Sequence, residues 1–322
     1  MDAIRIRDLV KKYGTVTAVQ GLSLCVEPGT MFGFLGPNGS GKSTTIGCLT
    51  GLLDPTAGQI EILGQRFDAE NASIKRRMGV MPETLGLFDP LYAHEFLAFI
   101  ARMYGLDEAT TRQRVTELLD ALELTDTSKT LRDYSTGMRK RVAFAAAVIH
   151  SPEVLFLDEP STGLDPQNRA NLWDHVRSLR SRGTTIFLTT HYLEEADALC
   201  DRLMIMDHGE IVAEGTPRDL KRQVAGDSVL LSLHDEGGAL AKARVLIAAE
   251  PYVRENRTEG DRLRLYVEDG SAALPDLLRL LDGERIGLKS ISLSEPTLDD
   301  VFLHQTGRSL RDAGAISAEP AA

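Results

Sequence analysis

Gly36-Pro37-Asn38-Gly39-Ser40-Gly41-Lys42-Ser43 directly follows the apolar run Met31-Phe32-Gly33-Phe34-Leu35, and this juxtaposition decides the fold. The octapeptide matches G-x-x-x-x-G-K-[ST], the phosphate-binding loop. The apolar run predicts a buried strand, and Ser43-Thr44-Thr45-Ile46-Gly47-Cys48-Leu49 predicts the start of a helix. Glycines let the backbone turn tightly enough for successive N–H groups to face one anion. The helix N-terminus adds unpaired N–H groups and partial positive charge. Gly36, Pro37, Asn38, Gly39, Ser40, Gly41, Lys42, Ser43 and Thr44 are therefore candidate nucleotide-binding residues. Lys42 is placed to reach the β- and γ-phosphates, and the Ser43 hydroxyl to ligand Mg²⁺. The loop alone does not separate a kinase, a GTPase, a motor or a transporter engine.

The rest of the chain narrows that choice. Val154-Leu155-Phe156-Leu157-Asp158-Glu159 is an apolar run ending in two acids. In a parallel sheet ligands bind at the carboxyl ends of the strands, which brings Asp158 beside the loop as a Mg²⁺ residue. Glu159 is next along and is the candidate to orient or deprotonate the attacking water. Thr189-Thr190-His191 ends a further apolar strand; His191 either meets the γ-phosphate or its water, or caps a strand–helix junction. Ser161-Thr162-Gly163-Leu164-Asp165-Pro166 is a tight turn, equally readable as a helix cap at Asp165 with Pro166 at the first helical position. Asp133-Tyr134-Ser135-Thr136-Gly137-Met138 opens another helix, at Ser135 or Gly137. It is an ordinary cap or a second phosphate-binding surface. In the second case two chains must meet head to tail to grip one nucleotide. Tyr13, on an early turn, either stacks on a base or packs at a strand end.

Composition sets the outer bounds. With 322 residues, 43% hydrophobic and 26% charged, the chain has the makeup of a globular protein of two domains. A net charge of −11 argues against a general nucleic-acid surface. No apolar stretch approaches the ~20 residues needed to cross a bilayer, and Met1-Asp2-Ala3-Ile4-Arg5 lacks the apolar region of a secretion signal. A membrane role must come through a partner. Cys25, Cys48 and Cys200 are odd in number and widely spaced, and are expected to be reduced core thiols.

Strand patterns separated by helical ones predict an α/β fold with a mainly parallel, doubly covered sheet. Ile4–Leu9 and Thr17–Val26 add an antiparallel layer, with Lys11-Lys12-Tyr13-Gly14 as the turn between them. Residues 88–150 read as a helical insertion, with Phe96, Phe99, Ile100 and Met103, then Val115, Leu118, Leu119 and Leu122, at helical spacing. A first domain is expected over 1–222. From 226 to 305 the order β-α-β-β-α-β predicts a split-βαβ, ferredoxin-like α+β module, followed by a disordered tail over 306–322.

These motifs, in this order, resemble the ATP-binding subunits of ATP-binding cassette (ABC) transporters over about the first 220 residues. The resemblance implies a P-loop ATPase fold, with ATP and Mg²⁺ bound by the loop Gly36–Ser43 and the acids Asp158 and Glu159. It places Tyr13 at the adenine-stacking position, His191 at the switch histidine and Asp165 in the D-loop. The family works as a dimer, each ATP lying between one subunit's loop and the other's signature motif, here Tyr134-Ser135-Thr136-Gly137-Met138. Ser135 and Gly137, the phosphate-touching positions, are kept, and Thr136 replaces a glycine. Glu83 stands where the family has a glutamine that contacts Mg²⁺ and the water. Both departures resemble the bacterial drug- and polyketide-exporter ATPases, the daunorubicin-resistance-like branch, as does Glu295-Pro296-Thr297-Leu298-Asp299-Asp300-Val301-Phe302-Leu303 followed by Thr306-Gly307-Arg308.

The resemblance implies an integral membrane permease as partner, a second ATPase subunit, identical or paired, and a peripheral place on the cytoplasmic face of the cell membrane. No nucleic-acid partner is expected. Phe88 to Tyr104 is expected to receive the permease. The competing reading is a soluble ABC ATPase acting on a macromolecule. The DNA-repair type needs long coiled coils that the interval between Ser43 and Asp158 cannot hold. The ribosome type carries two cassettes, and one is present. A non-hydrolysing scaffold is disfavoured by Glu159 and His191.

Overall fold

The computed structural model describes residues 2–124, 128–223, 227–234, 238–294 and 296–310. They form two compact units, Met1–Pro217 together with Leu310, and Arg218–Ser309.

The first unit begins with β1 (Ile4–Tyr13), β2 (Val16–Val26) and β3 (Met31–Leu35), then α1 (Lys42–Leu49), β4 (Ala57–Ile62), β5 (Gln65–Arg66), α2 (Ala72–Lys75) and β6 (Met78–Met81). Three helices follow, α3 (Ala93–Met103), α4 (Glu108–Ala121) and α5 (Thr136–Val148). The sheet pattern resumes with β7 (Val154–Asp158), α6 (Pro166–Ser181), β8 (Thr185–Thr190), α7 (Leu193–Leu199), β9 (Arg202–Asp207) and β10 (Glu210–Gly215). The main sheet has the order β10-β9-β3-β8-β7-β6, parallel except for the β9–β10 hairpin. Strands β3, β7 and β8 are buried at every residue, as a parallel sheet covered on both faces requires. The second sheet, β2-β1-β4-β5, is antiparallel. Both sheets and α1 share one core: Ile4, Ile6 and Leu24 meet Phe34, Phe156, Met204 and Ile46.

Four expectations change. Lys11-Lys12-Tyr13 belong to β1, because the strand stays paired with β2 through several register shifts that absorb the polar residues. Cys25 is exposed while Cys48 and Cys200 are buried; on β2 Leu24 and Val26 point inward, so alternation turns Cys25 out. Phe99 and Met103 lie on the open side of α3, whereas Phe96 and Leu97 face the core. Finally, Thr306 still belongs to a helix and Leu310 is buried; residues 311–322 of the expected tail lie outside the described residues.

The second unit opens with α8 (Pro217–Gln223), which begins at the division rather than ending the first domain. It continues with β11 (Asp227–Leu233), α9 (Ala239–Ala248), β12 (Val253–Glu259), β13 (Arg262–Val267), α10 (Gly270–Gly283), β14 (Leu288–Ser294) and α11 (Leu298–Thr306). The antiparallel sheet order is β12-β13-β11-β14, the split-βαβ arrangement. Val229, Leu231, Leu265, Ile247 and Leu277 form its core. Gly307, at φ +77°, ends α11 in the left-handed conformation that a glycine cap supplies.

Candidate nucleotide-binding and hydrolysis site

The loop between β3 and α1 is pressed between two neighbouring backbones. A Cβ on Gly36 would stand 2.3 Å from the Met206 carbonyl oxygen, and one on Gly41, at φ +111°, would stand 2.4 Å from that of Ala18. Only glycine fits either place. Gly41 caps α1 without any side-chain bond to the first-turn N–H groups, which leaves them for an anion. The Ser40 hydroxyl is buried in the same loop with no partner, as suits a site for a phosphate oxygen. Lys42 Nζ donates to Gly36 O at 2.8 Å and Pro37 O at 3.1 Å, and lies 3.3 Å from Glu159 Oε1.

Strand β8 lies between β3 and β7, so the loop and the two acids emerge from one edge, two strands apart. Register fixes the alignment: Leu35 faces Thr190, and Asp158 faces Thr189. Ser43 Oγ donates to Asp158 Oδ1 at 3.2 Å, and the Thr189 hydroxyl donates to the same oxygen. Burial pushes the Asp158 carboxyl up, only partly offset by these two bonds. A hydroxyl and a desolvated carboxylate side by side are the hard-oxygen set that Mg²⁺ takes, with phosphate oxygens and water completing its shell. Among the described residues no cluster of three or more His, Cys, Asp or Glu could hold a metal alone.

Glu159 departs from the strand with φ +49°, an uncommon conformation for a residue with a side chain. Its N–H is shared between Thr189 O and Thr189 Oγ1. Its carboxylate lies 2.7 Å from His191 Nδ1 and accepts from Thr162 Oγ1 at 3.2 Å. Burial alone would push the Glu159 carboxyl up. The hydrogen bond from His191 and the charge of Lys42 outweigh it and hold the group below its ordinary range. An ionised acceptor requires His191 Nδ1 to carry the proton. Beside His191 and the loop opens a cavity of about 400 Å³, lined by Pro37, Asn38, Arg169, His191, Tyr192 and Leu310, among others.

The remaining candidates stand apart from this cluster. Tyr13 is half-exposed at the end of β1, with Lys11 Nζ 5.2 Å from its ring centroid. Glu83 is exposed in the loop after β6 and bonds to neither Ser43 nor Asp158. Ser135 caps α5 by accepting from the Met138 N–H, and Gly137 packs near Leu164 and Asn168; neither is bonded to the loop of its own chain. Asp165 caps α6, accepting from the Asn168 N–H at 2.9 Å, with Pro166 in the first turn. Two participants are not evident from motif reading. Thr189 braces both acids. Lys140, buried on α5, donates to Glu159 O at 2.9 Å. The signal for Lys140 is its spacing, since Ala143, Phe144 and Ala147 complete an inward stripe at i+3, i+4 and i+7.

Comparison with known proteins assigns this geometry. The family model for ABC transporters matches residues 19–162, and the model for the C-terminal domain of DrrA1-3-like ATP-binding proteins matches 215–306. A third model, for an AAA domain, matches 130–197 inside the same cassette. The daunorubicin resistance ATP-binding protein DrrA3 of Streptomyces coeruleorubidus is 43% identical over 95% of this chain and 96% of its own length.

The chain belongs to the ATP-binding subunits of ABC transporters.

This ABC ATPase falls in the daunorubicin-resistance-like branch along nearly its whole length. The Nod factor export ATP-binding protein I of Ralstonia nicotianae is 37% identical, covering 96% of this chain and 95% of its own. A solved structure of an ABC transporter ATP-binding subunit superposes with a TM-score of 0.64 at 33% identity, over 69% of this chain and 92% of the other. As an ABC ATPase the chain binds and hydrolyses ATP, and subunits of this family dimerise and work with membrane permeases. Among its described residues no helix is long and apolar enough to cross a membrane.

Proposed function

We propose that this ABC ATPase is the motor of an exporter for drugs, lipids or other hydrophobic compounds. It would pair head to tail with a second ATPase subunit at the cytoplasmic face of the membrane and drive a separate permease. The observation that carries the reading is the linked set Lys42–Glu159–His191 beside Ser43–Asp158, with Ser135 and Gly137 of the same chain unattached to it. A site with its phosphate cradle, acid and histidine on one chain, and an unattached helix start elsewhere, suits completion by a second copy. The two relatives, one named for daunorubicin resistance and one for export, support outward transport.

In this reading the backbone N–H groups of 36–43 and Lys42 bind the triphosphate. Ser43 and Asp158 would hold Mg²⁺, with exposed Glu83, in the loop after β6, contributing at most weakly. The ion would supply charge neutralisation at the phosphates. Glu159 orients and deprotonates the water, and His191 fixes the direction of that carboxylate. Tyr13 offers its exposed ring to the base, and Asp165 holds the D-loop helix that faces the partner.

Two substitutions test it. Glu159→Gln abolishes turnover and traps an ATP-bound dimer on size-exclusion chromatography; continued hydrolysis removes Glu159 from its role. Ser135→Arg stops hydrolysis while the chain still binds nucleotide at Lys42. Retained hydrolysis by that variant rejects the shared site.

A further inference from the structure

Lys140 is the one cation on the inward stripe of α5, where the neighbouring positions are Ala143, Phe144 and Ala147. A buried ammonium is costly unless paired or hydrogen-bonded, and the packing of α5 alone would be served by an apolar side chain. Its Nζ instead reaches 2.9 Å to the carbonyl oxygen of Glu159, a residue on another element. That carbonyl sits at the left-handed turn which aims the Glu159 side chain toward His191 and Lys42. On the other side of the same residue the Glu159 N–H is anchored by Thr189, and the carbonyl also accepts the Thr162 N–H. Burial pushes the Lys140 ammonium below its ordinary range, only partly offset by the surrounding carboxylates of Glu159, Glu195, Glu83 and Asp158.

We infer that Lys140 is a positioning residue for hydrolysis: it ties the helix that Ser135 caps to the backbone of Glu159 in the same chain, and so sets the aim of the water-activating carboxylate. This rests on the assignment of Glu159 to the water. Lys140 lies little more than one turn along α5 from Ser135. A partner's nucleotide seated on the α5 N-terminus would therefore be felt at Glu159 through a single rigid helix and one hydrogen bond. Lys140 does not itself touch the loop residues 36–43, so its removal acts on kcat and spares nucleotide binding.

The test compares Lys140→Met, which keeps length and removes the donor, with Lys140→Gln, which keeps a shorter neutral donor, in the full-length chain. Misaiming a reacting group by about 1 Å costs up to ~10²-fold. Lys140→Met is expected to lower kcat about tenfold and Lys140→Gln about threefold, with KM and the affinity for a fluorescent ATP analogue within about twofold of wild type. Full turnover by folded Lys140→Met, or a change in KM in place of kcat, overturns the inference. If Lys140→Met does not fold, Lys140→Gln decides, and its full turnover has the same force. In a Glu159→Gln background, adding Lys140→Met should leave the trapped ATP-bound dimer intact on size-exclusion chromatography; loss of that dimer means that Lys140 acts on binding or closure instead. Persistent activity of Glu159→Gln by itself instead sinks the assignment of Glu159, which keeps the two failures apart.

Discussion

His191 Nδ1 stands 2.7 Å from Glu159 Oε2, with Lys42 Nζ 3.3 Å from the other oxygen of the same carboxylate. One buried acid thus carries a cation from the phosphate loop on one side and an imidazole from the end of β8 on the other. The two contacts do different work. Lys42 compensates charge in a place where an isolated carboxylate would be protonated. His191 fixes direction, because a hydrogen bond to Nδ1 leaves the rest of the ring open toward the cavity beside Pro37 and Asn38.

Replacing His191 should therefore separate aim from binding. His191→Ala is expected to lower kcat by on the order of 10²-fold, the low end of what a positioned acid–base group contributes. Nucleotide affinity stays near wild type, since Lys42 and the loop N–H groups are untouched. Steady-state hydrolysis with a parallel binding titration checks it. Equal losses in kcat and affinity would mean that the histidine is part of the binding surface instead.

Asp158 and Glu83 should differ in their response to Mg²⁺. Asp158 is buried and accepts from Ser43, whereas Glu83 is exposed and bonded to neither. Asp158→Asn removes charge from a desolvated oxygen donor and should raise the Mg²⁺ concentration for half-maximal hydrolysis by about tenfold or more. Glu83→Gln should move that midpoint by less than about twofold. Titrating hydrolysis against Mg²⁺ for both variants reads the contrast directly. A large shift for Glu83→Gln would make that carboxylate a ligand in the working enzyme.

His150 joins the helical insertion to the sheet, and its chemistry gives a stability that depends on pH. Its ring stacks on Tyr104 at 3.6 Å and its Nε2 lies 2.9 Å from the Met78 carbonyl. Burial holds the imidazole below its ordinary 6.5, against the hydrogen bond to Met78 and assisted by the charge of Arg114. The unfolded chain then binds the proton first as pH falls. Stability is intact above about 6.5 and declines as pH drops from there through the folded value. His175, also lowered by burial, adds to the same slope. His150→Phe keeps the stack and should flatten, without abolishing, the fall in melting temperature between about pH 7 and 5. An unchanged slope would assign it to other groups.

How much of this could be read beforehand depends on how far apart along the chain the interacting groups lie. The loop 36–43 is contiguous, and its strand, glycines and helix start dictate one another, so sequence sufficed. Asp158, Glu159 and His191 were legible because each ends an apolar strand, and strand ends converge in a parallel sheet. Lys140 and Thr189 were not, since their importance lies in which distant backbone or acid they touch. Periodicity correctly marked α3 as amphipathic, but it does not say what covers an apolar face, and Phe99 and Met103 proved to be open. Lys11 and Lys12 looked like turn residues because only the presence of β2 alongside makes them a strand.

That open face yields the last expectation. Phe88 is 57% exposed, Phe99 44% and Met103 67%. Phe88 makes an edge contact with Phe99 at 6.1 Å and a tilted one with the buried Phe96 at 6.3 Å, so Phe88 and Phe99 form a continuous exposed surface at the entry to α3, backed by Phe96. Such a cluster beside the loop that carries Glu83 suits a docking site for the permease. Changing Phe88 and Phe99 together to Ser removes little buried area and should leave folding and the chain's own hydrolysis within about twofold of wild type. Co-purification with the permease, and any stimulation of hydrolysis by it, should be lost, because hot spots at interfaces are concentrated in few aromatic anchors. A variant that still binds its permease would move the docking surface off α3, whereas one that loses basal hydrolysis would show that these rings support the fold of the insertion.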